Sequence, residues 1–348
     1  MYLNSISIVG FRSFLQEKSY DFSPELTIIH GPNSVGKTNL LEAIYLLNQG
    51  QGFRGKKTEE LIHLQKHEGL VKGELVNTQE KIQIKTRLVK KPTLTEKQFF
   101  VNEHLKNLRD YRRSSLPIVL FQPHDLIMIT SAPEKRRTYF DQLLMQADYE
   151  YFQAKHNYEK GLRRRNKLLE QHRKYKKIDF TDMLEFWNNY LVENANIITK
   201  GRQKITDFFN QYPELNGIIY QLKYQANQFQ KNALLNKELR WHRTLSGPQL
   251  DNFLVLKKDV AEWKDLALYG SRSEQRLVII WFKTNELRYY EQKLKSKPIL
   301  LMDDIFSELD QANTKRVTKI ISGYQSFLTT AYPDSVKKAQ IKGKMIEP

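Results

Sequence analysis

From the first residues to His30, apolar and polar positions alternate in YLNSISIVGF, KSYDF and ELTIIH, which predicts an antiparallel hairpin leading into a buried strand. Alternation returns in KIQIKTRLV and KQFFVNEHL, where Asn102-Glu103 can turn a second hairpin, so an antiparallel sheet is expected beside that strand. LPIVLFQPHDLIMI adds an apolar run interrupted at Pro123, which has no N–H for a central ladder. From about Pro133 to Leu245 helical spacing dominates, glycine nearly vanishes, and charged and aromatic residues crowd in. No sustained heptad is read there. Strand and turn patterns resume after residue 246 and end in KSKPILLMDDIFSELD. The reading is an α/β chain in three segments: 1–132, a helical domain at 133–245, and 246–348.

Between ELTIIH and the helical run NLLEAIYLL lies GPNSVGKT, from Gly31 through Pro32, Asn33, Ser34, Val35, Gly36 and Lys37 to Thr38. Two glycines around four variable residues, then lysine and threonine, is the spacing of a phosphate-binding loop, and the strand-loop-helix context is the one that motif requires. Lys37 then faces the β- and γ-phosphates, Thr38 ligates Mg²⁺, and the helix N-terminus adds partial positive charge. The apolar residues Ile299 to Met302 end in Asp303 and Asp304, at the expected carboxyl end of a parallel strand, where open α/β sheets place ligands. Beside a phosphate loop, Asp303 is the expected Mg²⁺ partner, directly or through one of the ion's other ligands, and Asp304 the group that orients the attacking water.

Composition narrows the classes. Zero cysteines exclude disulfides, thiolate catalysis and sulfur-ligated zinc. The N-terminus lacks the basic lead and long apolar run of a secretion signal, and LVIIWF at 277–282 is far too short to cross a bilayer, so a soluble, cytoplasmic protein is expected. Fifty-six lysines and arginines against 39 acids give a net charge of +17 over 348 residues, which favours a polyanionic partner. The charge concentrates in KGLRRRNKLLEQHRKYKK, where Arg163, Arg164, Arg165 and Lys174 are DNA-contact candidates, although such runs are often only solvated helix faces.

The wide separation of Lys37 from Asp303 is the layout of an ABC-type ATPase head split by an inserted arm, and LYGSRSEQRLVIIWFK resembles the signature segment of that superfamily. GFRSF, GKTNLLEAIYLL, GFR at 52–54, FQPHDL, PEKRRTYFDQLL, LRRRNKLL, SGPQLDNF, GSRSEQR and LLMDDIFSELD together resemble the RecF family, segment by segment and in order. That family usually has glycine where this chain has Ser273, often glycine or another small residue at Ser34, and an acid at Pro32.

The resemblance implies an ABC-type P-loop ATPase head, a mixed sheet with an antiparallel β-subdomain, made from 1–132 with 246–348, and a helical arm at 133–245. It implies an ATP-closed homodimer with Ser271 donating in trans to the partner's nucleotide, Arg272 nearby and SELD at 307–310 lining the interface. Gln122 would link the lobes, and Thr329 or Thr330 would stand where related ATPases sense the γ-phosphate. By the same resemblance the dimer binds double-stranded DNA at single-strand gaps, hydrolyses ATP slowly, and works with RecR and RecO in recombinase loading. A transporter ATPase subunit, a chromosome-organising ATPase and a non-hydrolysing adaptor are the competing classes.

Overall fold

The alternating N-terminal pattern forms β1 (Tyr2–Val9), which pairs antiparallel with β2 (Lys18–Asp21) before the chain enters β3 (Leu26–His30). Helix α1 (Lys37–Gln49) follows the loop at 31–36, and β4 (Glu68–Val76), β5 (Lys81–Lys90), β6 (Thr95–Val101) and β7 (His104–Lys106) continue the antiparallel sheet. Asn102 and Glu103 both take positive φ, the backbone a two-residue hairpin turn demands. Next come α2 (Leu108–Ser114), β8 (Ile118–Phe121), α3 (Ile127–Thr130), α4 (Pro133–Ala147), α5 (Tyr149–Lys174), α6 (Thr181–Gln211), β9 (Glu214–Leu215), β10 (Ile218–Gln225), α7 (Leu235–Trp241), β11 (Asn252–Asp259), β12 (Glu262–Asp265), α8 (Leu266–Tyr269) and α9 (Arg272–Leu294). The chain closes with β13 (Ile299–Met302), α10 (Gln311–Ile321), β14 (Ser326–Thr330) and β15 (Lys344–Ile346). This computed structural model describes all residues except 56, 79, 175–179, 216, 261, 306–310 and 333–340, and only the backbone of 173, 174, 311–313, 315 and 316.

Two compact units result, Met1–His124 with Glu286–Pro348, and Asp125–Asn285. The first holds a six-stranded antiparallel sheet in the order β2-β1-β4-β5-β6-β7 and a five-stranded parallel sheet in the order β15-β3-β14-β13-β8. Helix α1 shares one core with both sheets, which is why Leu40, Leu41, Ala43, Ile44, Leu46 and Leu47 are all buried and its surface is apolar nearly all round. Because β3, β8, β13 and β14 run parallel, the phosphate loop and the Asp303-Asp304 pair leave the sheet at the same edge.

The second unit pairs the helices with a four-stranded sheet, β12-β11-β10-β9. Its limits differ from the expected 133–245: residues 125–132 and 246–285 group with the helices. The strand signals expected after 246 include β11 and β12, and β11 pairs with both β10 and β12.

Helices α5 and α6 form an antiparallel pair, with Tyr151 against Gly201 and Gly161 against Tyr190 and Leu191. The expected lack of heptads is corrected here. Leu184, Asn188, Leu191, Ala195, Ile198, Arg202, Ile205 and Phe209 are all buried at alternating spacings of four and three, and Tyr151, Ala154, Tyr158, Gly161 and Arg165 repeat the rhythm on α5. Asparagine, glycine and arginine at seam positions hide the period from a hydrophobicity reading. At 26 and 31 residues the helices span roughly 39 and 46 Å, from a rise of about 1.5 Å per residue.

The seam arginines are held by acids from other segments. Arg165 bonds Asn188 (2.7 Å), Thr244 (2.8 Å) and Glu238 (2.6 Å). Arg202 bridges Asp141 (2.9 Å) and Asp251 (2.5 Å), both buried. Burial alone would lower the Arg202 pKa; Asp141, with Tyr151 and Asp251, more than reverses that.

Candidate functional site

In the loop between β3 and α1, Gly31 (φ 138°), Ser34 (φ 70°) and Gly36 (φ 112°) all take left-handed backbone. Ser34 adopts what glycine adopts freely, at a cost of about 1–2 kcal/mol for a residue with a Cβ. These bends wrap 31–36 in front of the α1 N-terminus, whose first N–H groups and dipole suit an anion. Pro32, Asn33, Ser34 and Val35 are exposed, whereas Lys37 is buried, its Nζ donating to the carbonyls of Gly31 and Pro32 at 2.8 Å each.

Across the sheet edge, Asp303 Oδ1 accepts from the Thr38 hydroxyl and from the Thr329 hydroxyl, both at 2.9 Å. Thr329, nearly fully buried in β14, also accepts from the backbone N–H of Asp304 at 2.9 Å, so one hydroxyl fixes both acids. Asp304 sits at φ 50°, a conformation aspartate tolerates. Thr330 is engaged elsewhere, donating to the Tyr332 carbonyl and accepting from its N–H. Gln122 follows β8 directly, and Phe121 pairs with Met302 in register, which brings Gln122 to the same edge. A hydroxyl and a carboxylate beside an ammonium and a helix N-terminus fit a polyphosphate with a small oxygen-seeking cation, since Mg²⁺ takes one or two carboxylates and completes its shell with phosphates and water.

Sequence reading missed a charged cluster beside this loop. Glu42, 0% exposed on α1, holds Arg12 of GFRSF (2.7 Å) and Arg54 of GFR (2.9 Å). Arg54 reaches on to Asn39, and Asn39 to Ser13. Two guanidiniums on one carboxylate leave net positive charge next to the first turn of α1. A lone acid inside NLLEAIYLL was the available clue, because a buried carboxylate needs a cation.

Ser271, in the second unit, closes a reciprocal cap at the start of α9: its N–H donates to Glu274 (2.8 Å), and its hydroxyl accepts from the Glu274 N–H (3.3 Å). Glu274 is held down at about 2, chiefly by its bond to Lys257 and further by Ser271 and Lys264. Since its ordinary value is 4.5, the stabilisation is complete above that pH and is lost as pH falls towards 2. Arg163 and Arg164 are exposed on α5. Arg165 is corrected: at 0% exposure and paired with Glu238, its guanidinium cannot reach a phosphate in the folded protein. The Lys174 side chain, Lys176 and Lys177, and SELD at 307–310 lie outside the described residues.

Residues 2–345 match the family model described as RecF/RecN/SMC N terminal domain. The DNA replication and repair protein RecF of Caldanaerobacter subterraneus subsp. tengcongensis is 30% identical over 350 residues, covering 94% of each chain. The chain belongs to the RecF family. That of Lachnospira eligens is 29% identical, covering 94% of this chain and 92% of the relative. The solved structure of the recombination mediator protein RecF-ATPrS in the RecFOR pathway superposes with TM-score 0.86 at 27% identity, covering 100% of this chain and 96% of that one. An Smc head bound to the C-winged helix domain of ScpA shares the fold, at TM-score 0.57 and 17% identity. The fold is thus the ABC-type ATPase head of the RecF and SMC proteins. Among the described residues, no helix is long and apolar enough to cross a membrane.

Proposed function

We propose that this RecF-family chain is an ATP-switched DNA-binding protein of replication and recombinational repair, cytoplasmic and slow in hydrolysis. The observation that carries the switch is Asp303 held between Thr38 of the phosphate loop and Thr329 of the neighbouring strand. Lys37 would neutralise the β- and γ-phosphates, Thr38 would hold the cation with Asp303 orienting its hydroxyl, and Asp304 would position the attacking water. Mg²⁺, when bound, supplies charge neutralisation at the phosphoryl oxygens. The cap at Glu274 fixes the Ser271 backbone so that its hydroxyl can donate to the nucleotide of a second copy, making ATP the contact that closes a homodimer. The shared name of the relatives and the net charge of +17 support DNA as the partner, with RecR and RecO implied by the family.

The two acids separate experimentally. Asp303→Asn is expected to weaken Mg·ATP binding at least about tenfold, because it removes a charge-assisted partner. Asp304→Asn should bind ATP normally and turn it over about a hundredfold more slowly, the lower end of what a positioned acid-base group contributes. ATP titration with steady-state turnover checks both, and indistinguishable variants contradict the assigned roles.

Salt dependence tests the DNA reading. A closed dimer covering five or six duplex phosphates gives a slope of log affinity on log salt of roughly −5, from about −0.9 per phosphate. Arg163→Glu with Arg164→Glu should make it shallower by about 2 for each arm engaged. An unchanged slope and affinity would reduce these arginines to a solvated face.

A further inference from the structure

The α5–α6 pair carries a surface the phosphate-contact reading does not use. On α6, Phe186 is 60% exposed and lies nearly parallel to Tyr190, with centroids 6.4 Å apart and planes at 15°. Trp187 stands edge-on to both, at 5.1 and 5.5 Å. With Phe186 exposed and Trp187 and Tyr190 half-buried beside it, the three rings form one apolar patch on the outer face of the helix. A Cβ on Gly161 would stand 2.9 Å from the Tyr190 ring, so α5 passes directly under the ring row.

Helical and heptad geometry sets the flanking chemistry. With Gly161 against Tyr190, the antiparallel register places Arg164 level with Trp187. Lys160, Arg164 and Lys167, spaced four and three, form one exposed row of α5 on that side. The facing α6 row is Met183, Trp187 and Tyr190, and neither row carries an acid; Asp182 and Glu193, four residues before and seven after Phe186, lie beside it on the outer face, farther from α5.

Resting on the DNA reading above, we infer that this strip binds single-stranded DNA, with bases stacking on Phe186, Trp187 and Tyr190 and the backbone following Lys160, Arg164 and Lys167. Rings beside a cation track are how strands are held without sequence preference, because every base has a π-face. A duplex keeps its bases stacked and offers the rings nothing.

The test uses the full chain with ATP, a 20-nucleotide dT strand, an abasic strand of equal length, and a 20-base-pair duplex. The dT strand should bind about tenfold or more tighter than the abasic strand and quench tryptophan emission. Trp187→Phe should keep the affinity and lose most of the quenching. Phe186→Ala should lose about tenfold on dT, far less on the abasic strand, with an unchanged salt slope because stacking releases no counterions. Phe186→Tyr should restore binding, and thermal unfolding checks that the variants are folded. Equal affinity for dT and abasic strands, or an equal loss on dT and duplex in Phe186→Ala, overturns the inference while leaving duplex binding intact. An effect of Phe186→Ala confined to self-association, or to retention of an acidic protein, also overturns it, since the strip is then a protein contact. Failure of wild type to bind any of the three DNAs removes the DNA reading itself.

Discussion

Replacing Lys37 with alanine should abolish ATP-driven association of the chain and lower ATP affinity at least about a hundredfold. The lysine is buried, and its Nζ is held at the loop mouth by two carbonyls, so the charge is placed before ligand arrives. Charge-assisted hydrogen bonds contribute about 1.5–3 kcal/mol each, and a polyphosphate in a partly desolvated loop loses more than one of them with this side chain. The α1 dipole supplies only a partial charge and cannot replace it. Fold should survive, because truncation removes only bonds to loop carbonyls. Calorimetric ATP titration and sedimentation with ATP check the result; wild-type binding would end the phosphate-loop assignment.

Arg202→Leu should be the most destabilising single change in the second unit, costing about 3–5 kcal/mol, the range for breaking a buried ion pair from one side. It leaves buried Asp251 with no cation, only the Tyr224 hydroxyl and the Asn227 N–H as donors, and leaves Asp141 with Tyr151 and Lys155 (3.0 Å) alone. Arg202→Lys, which keeps the charge but cannot bridge both acids, should recover part of the loss. Urea unfolding of the three proteins at neutral pH decides it, and equal stability of wild type and Arg202→Leu contradicts the network's role.

Much of this was legible in the sequence because local rules and the tertiary outcome agree. GPNSVGKT needed only its flanking strand and helix, and ILLM before Asp303-Asp304 needed only burial on both faces. Glu42 and Thr329 were harder, since their roles depend on neighbours distant in sequence. The heptad seam was concealed because Gly161, Arg165, Asn188 and Arg202 occupy it, and an arginine in a basic run looks the same whether it meets solvent or a buried glutamate. Arg163 and Arg165 differ by two residues and by opposite faces of one helix. The grouping of residues 246–285 with the helices was hidden for a related reason: strand periodicity announces a strand without naming its sheet.

The central claim is that ATP occupancy governs DNA binding. Its most direct measurement is the affinity of the wild-type chain for a gapped duplex at fixed salt, with ATP, with ADP and with no nucleotide, followed by sedimentation for dimer formation. The expected result is tight binding by a dimer with ATP, and binding at least about tenfold weaker by a monomer with ADP or without nucleotide. Equal affinity and equal mass in all three conditions would contradict it.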